Sequence, residues 1–181
     1  MPESSNELVR VRKEKLDRLK AKGVEPYPHR YDRTHTNTEA IYYFQSLETN
    51  SDGNTRSDSV SLAGRIMGMR TMGKATFVDL KDGSGRIQVL FRNNILAETY
   101  GMLTDLDVGD WIGVNGPIFR TRTNQITLEV SDFTLLSKSL RPLPEKWHGL
   151  TNVELRYRQR YLDLISNDDA YNLAVMRSRI V

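Results

Sequence analysis

Between residues 60 and 130, apolar and polar residues alternate in several short runs, and the polar positions carry chemistry. In ATFVDLKD, Thr76, Val78 and Leu80 share one side, while Phe77 and Asp79 share the other. In RIQVLFR, Ile87, Val89 and Phe91 face one way, and Arg86, Gln88, Leu90 and Arg92 the opposite way. In QITLEV, Ile126, Leu128 and Val130 oppose Gln125, Thr127 and Glu129. Upstream, Leu62, Gly64 and Ile66 alternate with Ala63, Arg65 and Met67. A period of two sends the aliphatic set into one core and leaves Arg65, Phe77, Arg86, Gln88, Gln125 and Glu129 on an outer face. Arg70 joins them if a bulge follows Gly68. An outward aromatic offers a stacking platform to any unpaired base, contributing about 1–3 kcal/mol per base. Glutamine carries both a donor and an acceptor and suits the edge of a base. Arginine holds phosphate or a base carbonyl. The competing reading has Phe77 packed under the N-terminal segment and Gln88 merely solvated, since isolated outward aromatics are common.

Other candidate constellations lose on spacing. Gly68-Met-Arg-Thr-Met-Gly73-Lys74 fits seven positions of a phosphate-binding loop, but Ala75 stands where a hydroxyl would meet Mg²⁺. The residues after Lys74 alternate like a strand, whereas such a loop must open a helix. His29, His35 and His148 lack metal-ligand spacing, so no metal site is expected. Asp168-Asp169 reads as a helix-start charge pair rather than an acid/base dyad. No nucleophile sits beside a base, so no catalytic residue is expected in this chain. RYRQRY is either a basic patch or, more commonly for such a run, a solvated or interface-facing helix. The sequence has no cysteine, which excludes disulfides, thiolate zinc sites and cysteine nucleophiles.

The elements that must position these residues follow from the same patterns. SNELVRVRKEKLDRLKAK, 5–22, reads as a helix capped by Asn6, with Leu8, Val9 or Val11, Leu16 and Leu19 near helical spacing and a Glu14–Arg18 pair. Gly23 is its stop signal, and Pro26 and Pro28 keep the next segment extended. IYYFQSL is expected to form a short helical turn before the polar loop ETNSDGNTRSD. SVSLAGRIMGMR, ATFVDLKD and RIQVLFR predict three strands, with DGSG as a hairpin turn between the last two. NNILAETYGMLTDL predicts a helix capped by Asn93 or Asn94. DWIGVNGPIFRT and QITLEVSDFTLL predict strands four and five. Three strands, a helix and two strands within about 80 residues match the five-stranded Greek-key barrel known as the OB fold. TNVELRYRQRYLDLIS predicts a helix with Thr151 and Glu154 as a capping box. NDDAYNLAVMRSRIV opens another, capped by Asn167 or Asp168.

The 181 residues suit one domain with appendages, or one and a half domains. Expected divisions are an N-terminal helix and lead-in over 1–57, an OB-fold domain over 58–137, and a linker with the start of a further domain over 138–181. The net charge of +3 splits into +3 over 1–33, −2 over 34–57, −1 over 58–137 and +3 over 138–181. A nearly neutral barrel between basic flanks must select an anionic polymer by local placement rather than overall field. No apolar run approaches the roughly 18 residues needed to span a bilayer, and MPESSNELVR lacks an apolar h-region. A cytoplasmic protein with no membrane partner is expected.

LRPLPEKWHGLTNVELRYRQRYLDLISND closely resembles the segment joining the two domains of lysyl-tRNA synthetases of class II and bacterial type. MGKATFVDLKDGSGRIQVLFR resembles their anticodon-binding OB fold, and VRVRKEKLDRLKAKGVEPYPHRYDRTH their N-terminal helix and lead-in. The OB portion alone is shared with aspartyl- and asparaginyl-tRNA synthetases. The resemblance implies a mainly β recognition unit followed by the start of a class II catalytic domain. VMRSRIV resembles the opening of the motif 1 helix, which builds a homodimer interface in the family. The resemblance also implies a parent enzyme that activates lysine with ATP and Mg²⁺ and charges lysine tRNA. This chain itself is expected to hold neither cofactor and to be inactive alone. Its implied partner is the anticodon loop of lysine tRNA, not DNA. By the same resemblance, Phe77 stacks on an anticodon base, Gln88 bonds a uridine edge, and Arg70 supports the central base. Where the family often carries Gly-Glu-Leu, this sequence has Asn124-Gln125-Ile126, so Gln125 would replace a carboxylate contact by an amide one. Glu129 is the secondary candidate there. Two alternatives remain open: a stand-alone OB module binding single strands without selectivity, and a membrane-lipid lysylating relative with the same recognition half.

Overall fold

Period-two patterning from residue 60 onward becomes sheet, which begins at Arg56. The structure is a computed structural model describing residues 3–49, 55–143 and 153–180. Its strands are β1 Arg56–Met72, β2 Ala75–Lys81, β3 Arg86–Arg92, β4 Trp111–Arg120, β5 Ile126–Glu129 and β6 Asp132–Ser137. Neighbours run β1-β2-β3-β5-β4-β6, and β1 also pairs with β4, so five strands close into a ring. The pairs are antiparallel except β3 with β5. The expected fifth strand, QITLEVSDFTLL, is interrupted at Val130-Ser131. Its two halves line the same partner: β5 meets Ile118–Arg120, and β6 meets Trp111–Asn115. A Cβ on Gly116 would lie 1.9 Å from the Glu129 carbonyl oxygen, so only glycine lets the strands approach this closely.

The alternation predicted for the core holds. Val60, Leu62, Ile66, Val78, Leu80, Ile87, Val89, Phe91, Ile112, Val114, Ile118, Leu128 and Leu135 form one buried cluster. Phe91 and Phe133 meet edge-to-face at 5.3 Å. Helix α2, Asn37–Thr49, adds Ala40 and Phe44 to this core. It runs 13 residues where only a turn was expected, because Ala40 and Phe44, four apart, give it an apolar stripe. Its start is tied to the β2–β3 hairpin. The Asp82 carboxylate accepts the Ser84 and Gly85 amides at 2.8 and 3.0 Å and the Asn37 amide at 3.0 Å.

Helix α1, Glu3–Ala21, buries Leu16 and Leu19 but leaves Leu8 and Val11 exposed. Gly23, at φ +76°, ends it: its amide bonds the Lys20 carbonyl and the Val24 amide bonds that of Leu19. Arg18 does not pair with Glu14. It bonds the buried Asp105 at 2.8 Å, alongside Lys22 at 2.9 Å, while Lys15 meets Asp107 at 2.6 Å. A buried carboxylate fixes an arginine better than an exposed neighbour on the same helix. The predicted helix over 93–106 is a four-residue α3, Asn93–Leu96, followed by a 3₁₀ helix, Ala97–Asp105. Arg92, not Asn93 or Asn94, precedes it, with no side-chain cap.

The chain divides into two compact units, Met1–Arg141 and Pro142–Val181. The second holds α4 Val153–Arg158, α5 Arg160–Ser166 and α6 Asp168–Ile180. One helix over 151–166 was expected, but the chain breaks at Gln159; the proposed cap Thr151 lies outside the described residues. The arginines of RYRQRY serve local pairing. Arg156 and Arg160 clamp Asp163 at 3.0 and 2.7 Å, and Arg158 meets Glu154 at 2.8 Å. Asn167 caps α6 by accepting the Asp169 and Ala170 amides. Among the described residues, no helix is long and apolar enough to cross a membrane.

Candidate nucleic-acid interface

The outer face of β1, β2, β3 and β5 is a grid set by strand register. One row runs Arg70, Phe77, Leu90, Glu129, each residue opposite the next. The row beside it runs Gly68, Asp79, Gln88, Thr127. A third begins with Arg65, Lys81 and Arg86. Strands about 4.8 Å apart make each row roughly 14 Å wide, the scale of two or three stacked bases.

Arg70 reaches this face through a bulge. Ile66 pairs with Leu80, but Gly68 pairs with Asp79, so two steps on β1 match one on β2. Met67 is the extra residue and is buried. The bulge thus lies one residue earlier than expected, before Gly68 rather than after it. It reverses parity, sending Met69 toward Val78 and Arg70 opposite Phe77.

Phe77 is half-buried, flanked in register by Arg70 and Leu90. Leu90 is only 2% exposed although its parity is outward, so the row has an apolar floor. The Arg70 side chain is 65% exposed and lies 3.8 Å from Asp79. So loose and solvated a pair contributes little and leaves the guanidinium available. Gln88 Oε1 lies 3.0 Å from the Thr127 hydroxyl.

Glu129 is placed differently from a free reader. Its Oε1 meets Arg92 at 2.8 Å and its Oε2 bonds Arg56, so both oxygens are engaged. Arg56 also lies over the Phe119 ring at 5.5 Å. One carboxylate between two arginines leaves a local surplus of positive charge at the end of the row, with both guanidiniums about half exposed.

Gln125 is exposed in the turn before β5, beyond the Thr127 row. Its backbone is anchored to Thr121, whose hydroxyl accepts the Gln125 amide. Arg65 lies two rows from Phe77 and turns aside. Its guanidinium bonds the Gly109 carbonyl at 3.1 Å and stacks on the Trp111 ring at 5.2 Å. Burial lowers its pKa, opposed by the charge of Asp110. The structure therefore brings Arg70, Phe77, Gln88 and Glu129 together, leaves Gln125 at the margin, and engages Arg65 elsewhere.

Sequence reasoning gave no role on this face to Asp79, Thr127, Arg92 or Arg56. The parity of the first three was visible in the alternation. Arg56 was not, because β1 begins ahead of the apolar alternation that marked it.

The Gly68–Lys74 run does not form a phosphate-binding loop. Gly68–Lys74 forms the end of β1, a turn at Gly73 and the approach to β2, with no helix N-terminus to hold phosphate. No group of three or more His, Cys, Asp or Glu side chains that could hold a metal occurs among the described residues.

The tRNA anti-codon family, described as an OB-fold nucleic acid binding domain, matches residues 60–136, from early β1 to the end of β6. The chain is 50% identical over 180 residues to the lysine–tRNA ligase of Pelotomaculum thermopropionicum, covering 99% of this chain and 34% of that protein. It is 50% identical over 177 residues to the lysine–tRNA ligase of Carboxydothermus hydrogenoformans, covering 97% of this chain and 35% of that protein. The lysine–tRNA ligase of Moorella thermoacetica is 46% identical over 180 residues, covering 99% of this chain and 35% of the relative. The chain thus spans about a third of the length of the relatives it matches. Over that length the chain is similar to the N-terminal part of lysine–tRNA ligases.

Proposed function

We propose that this chain recognises the anticodon loop of lysine tRNA on the outer face of its barrel. The carrying observation is the register row Arg70–Phe77–Leu90–Glu129 beside Gln88, which sets an aromatic platform between an exposed guanidinium and an amide. In this reading an unpaired base stacks on Phe77, Gln88 bonds the edge of a uridine, and Arg70 supports the central base. Arg56 and Arg92, held by Glu129, draw the RNA backbone. Gln125 meets the base nearest the β4–β5 turn. Arg65 acts on the barrel rather than on RNA. The parent protein activates lysine with ATP and Mg²⁺, transfers it to lysine tRNA, and works in the cytoplasm as a homodimer. Helices α4–α6 supply the start of its class II catalytic domain. The domain limits follow the sequence reading, 1–57, 58–137 and 138–181, and DNA is not a partner.

The test is binding of the 181-residue chain to a stem-loop RNA carrying a UUU loop, set against an unstructured oligouridine. Phe77→Ala should weaken stem-loop binding by about 1–3 kcal/mol. Equal affinity of the variant and the native chain would remove the stacking role. Equal affinity of the native chain for stem-loop and oligouridine would favour an unselective single-strand module.

A further inference from the structure

We infer that Thr127 is a positioning residue that fixes which end of the Gln88 amide faces the RNA, and so makes this site select uridine over cytidine. The inference rests on the reading of Gln88 as base-facing. Parallel pairing of β3 with β5 sets Gln88 opposite Thr127, whose side chain is fully buried. The Thr127 hydroxyl lies 3.0 Å from Gln88 Oε1 and 3.2 Å from the Gln125 carbonyl oxygen. It has one proton to give. The Gln125 oxygen already accepts the Thr121 amide at 2.9 Å and lies 3.2 Å from the Thr121 hydroxyl, so it is the longer and more crowded of the two acceptors. The Thr127 proton therefore goes to Gln88 Oε1.

The opposite amide orientation would turn Nε2 toward Thr127. The hydroxyl would then have to give its proton to the Gln125 oxygen, the longer contact, which already accepts the Thr121 amide. With Oε1 held, Nε2 keeps two donor protons with no partner among the described residues. Asp79, opposite Gln88 on β2, makes no hydrogen bond to it among the described residues. A glutamine free to turn its amide matches either a carbonyl or an amino group on a base. One held by Thr127 offers donors only. It then donates to the carbonyl of a uracil edge and meets the amino group of cytosine donor to donor.

The experiment measures binding of the 181-residue chain to a UUU-loop stem-loop and to versions with each uridine replaced by cytidine. The native chain should prefer uridine at one position. Thr127→Val removes the hydroxyl at constant shape and should lower that uridine-to-cytidine ratio about tenfold. Thr127→Ser restores the hydroxyl and should keep the ratio. Gln88→Glu leaves the core untouched and turns an acceptor outward, so its preference should move toward cytidine even as overall affinity falls. Should Thr127→Val keep the ratio while Gln88→Ala loses it, Gln88 reads unaided and the inference is overturned, with the anticodon reading intact. Should Gln88→Ala keep the ratio too, the base-reading assignment falls and this inference with it. Equal losses in the serine and valine variants would mean that Thr127 only packs.

Discussion

Lys138 follows β6 with a side chain wholly removed from solvent. Its ammonium bonds Asp107 at 2.6 Å, Asp110 at 2.7 Å and the Asp105 carbonyl at 2.9 Å. Lys138→Met keeps the stem and deletes the charge. The Asp110 carboxylate, also fully buried, would then face its pocket with only the Asp107 and Ser139 amides as donors. Asp107 would retain Lys15. Breaking a buried pair on one side costs about 3–5 kcal/mol, and the surviving donors point to the lower end. At roughly 2–4 °C per kcal/mol for a chain of this size, the melting midpoint should fall by about 6–12 °C. Urea and thermal unfolding followed by circular dichroism measure both numbers. Lys138→Met/Asp110→Asn should recover part of the loss, because it removes the orphaned charge. A single-variant loss below about 1 kcal/mol, or a double variant no better than the single, would refute the assignment of Lys138 as counter-ion to this carboxylate cluster.

Two further outcomes follow from neighbouring features. Burial pushes the carboxyls of Asp82, Asp105 and Asp107 up, but their hydrogen bonds outweigh it and hold all three below the ordinary value. Their stabilising contribution is complete above about pH 5 and is lost as pH falls through the depressed folded values. The urea midpoint should therefore drop between about pH 5 and pH 2, and a flat profile there would contradict it. Gly113→Ala would set a Cβ 2.3 Å from the Tyr31 ring, which can swing away. Gly116→Ala would meet the Glu129 carbonyl at 1.9 Å, which cannot move without parting strands. The second should cost more, upward of about 3 kcal/mol, and equal melting temperatures for the two would argue against the close crossing.

The barrel was legible because its signal is local. Ile87, Val89 and Phe91 on one parity, with Arg86, Gln88 and Arg92 on the other, need no partner to be read. Phe77 and Gln88 fall on the outer face of the barrel for the same reason. Failures came where a distant residue decides the outcome. Arg18 is drawn off its helix by Asp105, 87 positions away. Arg65 has outward parity, but its guanidinium goes to Trp111 and the Gly109 carbonyl, both brought near by ring closure. Glu129 looks free in QITLEV and is held by Arg56, 73 positions earlier. The helix over 93–106 was misjudged because its apolar residues satisfy a helical period that the tighter 3₁₀ turn also buries.

The extra residue at Met67 has an engineering consequence. It works as a phase shift between two halves of one long strand. Any graft of this recognition surface onto another barrel must carry that phase, or each position from Met69 to Met72 arrives inverted. Pairing Met67 regularly, with no bulge, would exchange the sides of Met69 and Arg70, hiding a cation and exposing a thioether, with every transplanted amino acid still present in order.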